Sequence, residues 1–323
     1  MATKKSTADS SRLAIIYIHG IGAQSPPETL KRAWDIALFG RAMEEKTRMA
    51  YWADIRHPLP SGAAALGIDA DDLAHTALGG PEAGGRVGTK AVGARRAGAP
   101  SAAQREYEAR LEASLGFGGA PDAPRGRFGR RVLPLPAFLR RPITRLLTGV
   151  LVKDTAAYLF DARQRETMRA RLRAVLKGET REIVLIAHSQ GSIIAYDVLR
   201  ELGTTVKVRR LVTIGSPLGL QEVQDNLEPS QLVVPAGVHE WHNFADPIDP
   251  VALDKGLAGD VRPKGFVHDT LLLNKQSMPD RDFNPHAALG YLSTSAVRDA
   301  VQSVLPREDS VITYGNKIRK DVL

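Results

Sequence analysis

Short apolar runs rich in β-branched residues alternate along this chain with stretches whose apolar residues recur every three or four positions. The runs fall at Leu13–Ile18, Ile183–Ala187 and Val208–Ile214, with a further strand expected over Thr47–Ala53, one at Gly237–Phe244 by its alternation of Val238, Glu240, His242 and Phe244 with Trp241, and a last one over residues 266–273. Runs without polar alternation read as strands buried on both faces. Helical spacing predicts Pro26–Phe39, Ser101–Leu115, Asp154–Leu176, a helix after residue 190 that Gly203 ends, and a C-terminal helix from Asn284 to about Val304. This alternation predicts an α/β fold, a mostly parallel central sheet flanked by helices.

Two regions depart from it. Residues 1–11 are polar and are expected to be a flexible tail. From His57 to about Arg131 the chain is dominated by Ala, Gly, Arg, Pro and Asp. Residues 131–152 then mix Leu133, Leu135, Phe138, Leu139, Ile143, Leu146 and Leu147 with Arg140, Arg141 and Arg145. We read residues 55–153 as a cap or lid inserted into a single domain spanning 12–323.

Composition removes several chemistries. There is no cysteine among the 323 residues, so neither disulfides nor a cysteine nucleophile is available; the lack fits a cytoplasmic location. No apolar stretch precedes Leu13, so no secretory signal is expected, and no run reaches the ~18 residues of a membrane span. The net charge of +8 permits peripheral contact with an anionic membrane surface, most readily through residues 131–152. No nucleic-acid motif accompanies it, and the oligomeric state is left open. No metal-ligand spacing occurs, and His19–Gly22 lacks the third glycine of a dinucleotide site, so no metal or cofactor is expected.

The chemistry centres on Ala187-His188-Ser189-Gln190-Gly191. A serine at a sharp turn between a buried strand and a helix is held out above the sheet, with the helix N-terminus behind it. The amide of Gln190 is then placed to receive a developing oxyanion. His19-Gly20-Ile21-Gly22 closes the first strand and offers a second amide, that of Ile21. Ser189 requires a base, and the base an orienting acid. Asp246 and Asp249 follow the strand ending at Phe244; Asp249 is favoured because it leads back into the fold, with Asp246 the alternative. Of the eight histidines, His286 is favoured, because it lies in a Pro-led loop where a base can swing over the serine. His268 falls inside a strand. Asp54 is weighed as a pocket residue, though capping a turn suits it better. Gly215–Gly219 reads as a turn lining the pocket.

Together these motifs resemble the α/β-hydrolase superfamily, in particular its intracellular serine esterase and lipase-like branch. The resemblance covers residues 13–22 and most of 154–304, and Ala187 stands where glycine is more usual. It implies an acyl-serine mechanism without cofactor on a small-molecule or lipid-like ester. Ser189 would be the nucleophile, His286 the base, Asp249 the orienter, and Ile21 and Gln190 the oxyanion hole. His19, Gly20, Gly22 and His188 are assigned to substrate binding, with the His188 side chain pointing away from the base position. An amidase or peptidase on the same triad, or an inactive interaction protein on the same fold, are the alternatives.

Overall fold

The computed structural model describes residues 13–57, 99–115, 142–252, 254, 256–277 and 284–306, with backbone alone over 142–148. The predicted tail and residues 58–98 and 116–141 of the expected insertion lie outside the described residues.

A six-stranded, all-parallel sheet forms the centre, with order β2-β1-β3-β4-β5-β6. Its strands are β1 (Leu13–Ile18), β2 (Thr47–Ala50), β3 (Glu182–His188), β4 (Val208–Ile214), β5 (Trp241–Ala245) and β6 (Val267–Leu271). The helices are α1 (Pro27–Phe39), α2 (Ala102–Ser114), α3 (Pro142–Phe160), α4 (Ala162–Lys177), α5 (Gln190–Leu202), α6 (Gln221–Gln224), α7 (Ala288–Leu292) and α8 (Ser295–Gln302).

The two-residue period of the strands sorts their side chains into two cores. Ile16, Ile18, Leu185 and Ala187 face one side and pack with residues of α2, α3, α4 and α5. Ile15, Tyr17, Val184 and Ile186 face the other and pack with residues of α1, α7 and α8. Helix α5 is buried on almost every side, from Gln190 through Leu199, which explains why its apolar stripe is so wide.

Several predicted boundaries move, each for a local reason. The helix expected over 154–176 is two helices. Asp161 adopts an extended conformation and caps α4, accepting from the amides of Arg163 (3.0 Å) and Gln164 (3.1 Å). The C-terminal helix is likewise divided into α7 and α8, where Thr294 caps the second. The strand expected over 47–53 stops at Ala50, because the amide of Trp52 goes to the His19 ring rather than into the ladder. The strand expected from Gly237 begins at Trp241, leaving a single bridge between Val208 and Val238.

Part of the expected cap belongs to the body. Leu151 and Val152 of α3, and Tyr107, Leu111 and Leu115 in and just after α2, lie in the first core, and the Tyr107 hydroxyl donates to Thr155 (2.8 Å). Asp54, weighed as a pocket residue, forms an exposed ion pair with Arg171. Among the described residues, no helix is long and apolar enough to cross a membrane.

Candidate functional site

The strand order reverses direction beside β1, which lies between β2 and β3. In parallel sheets such a point leaves a crevice at the carboxyl edge. There the register pairs Ile18 with Ala187 and brings Gly20 against Ser189: a Cβ on Gly20 would lie 2.6 Å from Ser189 Cβ. Only glycine fits. Gly191 meets the same limit on its other side, since a Cβ there would lie 2.5 Å from the His19 carbonyl oxygen.

Ser189 has φ 52° and ψ −130°, a conformation that costs a non-glycine residue ~1–3 kcal/mol. It is over-determined by its neighbours. Its amide donates to the Ile214 carbonyl (3.1 Å), and its own carbonyl accepts from the amide (2.8 Å) and hydroxyl (2.6 Å) of Ser192. Gln190 is the first residue of α5, so its amide has no partner within the helix.

His286 Nε2 lies 2.8 Å from Ser189 Oγ. On the far side of the ring, Nδ1 lies 2.9 Å from Asp249 Oδ2 and 3.1 Å from Oδ1. The carboxylate also accepts from the Tyr291 hydroxyl (2.7 Å) and the Val251 amide (2.8 Å). In this geometry Nδ1 donates to the carboxylate, which accepts only. Nε2 is then free to accept from the serine. Burial, together with the Asp249 charge, holds the Tyr291 phenol well above its ordinary pKa, so it stays a donor. Ser189, His286 and Asp249 are all buried.

The two candidate acids are thus separated. Asp246, equally buried, accepts from the amides of Asn274 (2.6 Å) and Ile248 (2.9 Å) and from the Ser277 hydroxyl. It fixes the loop after β6 and does not reach the histidine.

The residues assigned to substrate binding have contacts of their own within the protein. His19 uses both ring nitrogens: Nδ1 donates to the Gly20 carbonyl (2.9 Å) and Nε2 accepts from the Trp52 amide (3.0 Å). Burial, only partly offset by the Gly20 hydrogen bond, lowers its pKa from 6.5 to about 4. It is a neutral brace between the ends of β1 and β2. His188 does not point away from the base. Its ring centroid is 4.6 Å from that of His286, and its Nε2 donates to the His286 carbonyl (2.7 Å). Burial holds it well below its ordinary pKa, and the neighbouring His286 adds to this. His188 thus packs against His286 as a neutral ring. Gly22 turns the loop with φ 79°.

Tyr291 was not singled out by sequence reasoning, and Gly215 entered only as part of a turn lining the pocket. Gly215 has φ 55°, and a Cβ there would lie 3.0 Å from Asp249 Oδ2 and 3.1 Å from His286 Nδ1. Its place in a Gly-Ser-Pro turn at the carboxyl edge was the available signal. No group of residues suited to a metal ion occurs among the described residues. Compared with protein-family models, with curated proteins and with solved structures, the chain finds no match.

Proposed function

We propose that the chain is a serine hydrolase of the α/β-hydrolase type, cleaving a carboxylic ester through an acyl-serine intermediate. The observation that carries this reading is the continuous contact from Asp249 through His286 to Ser189, with the serine held at a left-handed φ. A merely structural serine has no need of that strain or of that partner.

In the proposed reaction Ser189 Oγ attacks the ester carbonyl carbon while His286 Nε2 takes the hydroxyl proton. Asp249 stabilises the resulting imidazolium. The carbonyl oxygen becomes an anion and receives hydrogen bonds from the amides of Ile21 and Gln190, aided by the N-terminus of α5. Collapse breaks the bond to the alkoxy oxygen, which leaves as an alcohol with the proton from His286. Water then attacks the acyl-serine, His286 takes its proton and returns it to Ser189 Oγ, and the acid is released. We take the acyl group to be apolar, on the strength of the Leu- and Arg-rich sequence over 131–147.

The test is hydrolysis of p-nitrophenyl esters over a series of acyl lengths, with wild type beside Ser189→Ala. Turnover by the wild type that is lost in the variant supports the proposal. Wild-type inactivity across the series, or equal rates in the two proteins, would overturn it.

A further inference from the structure

Asp154 has no part in the reaction as written, yet it is one of the best-buried carboxylates among the described residues. It projects from α3, far along the chain from either oxyanion element. Its Oδ2 accepts from the Gly22 amide (2.9 Å) and lies 2.9 Å from His57 Nε2. Its Oδ1 accepts from Arg56 Nε (2.7 Å), and the same guanidinium donates to Gln164 (2.7 Å). Its backbone carbonyl accepts from the side chain of Gln190 (3.2 Å).

These contacts fall on both halves of the oxyanion hole. The peptide unit between Ile21 and Gly22 is held at each end: the Gly22 amide by Asp154, and the Ile21 carbonyl by Gln24 Nε2 (2.9 Å). With that plane fixed, the direction of the adjoining Ile21 amide is constrained. The Gln190 side chain is held from the same residue, while its Oε1 is buried without a hydrogen-bond partner. We propose that Asp154 is a positioning residue that sets the amides of Ile21 and Gln190 in mutual register for the oxyanion. This rests on the serine-hydrolase reading above.

The chemistry of the clasp requires a carboxylate. Donors arrive at both oxygens, from Gly22 and Arg56 at the least, and an asparagine would turn an NH2 group toward one of them. Burial on its own would raise the Asp154 pKa; the His57 hydrogen bond and charge, the Gly22 amide and Arg56 outweigh it and hold the carboxyl below its ordinary range. Arg56 and His57 remain partly accessible, so the outer side of the clasp can be altered without opening the core.

The experiment compares wild type, Asp154→Asn, Arg56→Gln and Arg56→Lys, with p-nitrophenyl butyrate as substrate and an arylboronic acid as a tetrahedral serine adduct. Loss of one oxyanion donor costs ~100–1,000-fold, and loss of its alignment part of that. We expect Asp154→Asn to lower kcat by about 30-fold with KM within about twofold, and to weaken the boronic acid by a similar factor. Arg56→Gln should act in the same direction by about threefold and Arg56→Lys should recover most of it. If Asp154→Asn does not fold, the Arg56 pair carries the test, and an Arg56→Gln protein with wild-type kcat and inhibitor affinity overturns the proposal. So does a folded Asp154→Asn with wild-type kcat, or one whose lower activity leaves boronic acid affinity unchanged. A wild type that neither turns over esters nor binds the boronic acid overturns the serine-hydrolase reading and this inference with it. A fully active wild type with an equally active Asp154→Asn overturns this inference alone.

Discussion

Asp35, on α1, and Asp249, after β5, are both 0% exposed. Asp35 accepts from the Tyr17 hydroxyl (2.9 Å), the Thr47 hydroxyl (2.8 Å), the Lys31 ammonium (3.0 Å) and the Met43 amide (3.0 Å). Asp249 likewise accepts from a tyrosine hydroxyl and a backbone amide. Each tyrosine is held well above its ordinary pKa, first by burial and then by the carboxylate beside it. Burial and saturation therefore do not distinguish them. The partners do. Those of Asp35 fasten α1, β1, β2 and the segment between α1 and β2 to one another. One partner of Asp249 is His286, whose other nitrogen meets a strained serine. The difference teaches that a buried acid is read by where its hydrogen-bond chain ends.

Substitutions at the two clusters should separate rate from stability. Ser189→Ala removes the end of the chain, and kcat should fall by about 10⁵-fold or more with little change in thermal midpoint; steady-state kinetics and calorimetry check this. Asp249→Asn presents the wrong tautomer to the serine, for an expected loss of about 10⁴ in kcat. Asp35→Asn should leave kcat within about twofold and lower the unfolding free energy by about 1–3 kcal/mol in urea titration. Reversal of that pattern between Asp35 and Asp249 would break the comparison. Tyr291→Phe keeps the ring and removes one donor to Asp249, so kcat should fall by about tenfold, equivalent to a single charge-assisted hydrogen bond.

A pH titration of stability adds the smaller effect of His19. Its folded pKa of about 4 lies below its ordinary 6.5, so between these values the unfolded chain binds more protons. Stability contributed by the neutral ring is fully present above about pH 6.5 and is lost as pH falls toward 4, by up to about 3 kcal/mol. His19→Gln should flatten that part of the profile, as unfolding followed by circular dichroism across pH would show.

What was legible in the sequence was contiguous. The elbow could be read because strand, turn and helix follow one another within 181–203, and the glycine loop because it closes the first strand. Strands β1 and β3 were found because parallel strands buried on both faces are apolar almost without interruption. The break at Asp161 had a signal that periodicity overrode: Asp161 followed three residues later by Gln164, which reaches back to its cap (2.7 Å). Asp246 and Asp249 share one Asp-Pro-Ile-Asp-Pro loop, and only contacts with Asn274, Ser277, Tyr291 and His286 tell them apart. The placement of His188 against His286 joins residues 98 apart in the chain, and no local pattern records such a pairing.

The central claim is that Asp249 and His286 activate Ser189, and fluorophosphonate labelling with mass-spectrometric location of the adduct tests it most directly. The account predicts a single adduct on Ser189 in the wild type, none in Ser189→Ala, and labelling slowed by orders of magnitude in His286→Ala and Asp249→Asn while Asp35→Asn labels at the wild-type rate. An unlabelled wild type, or equal labelling of the wild type and the His286 and Asp249 variants, would contradict it.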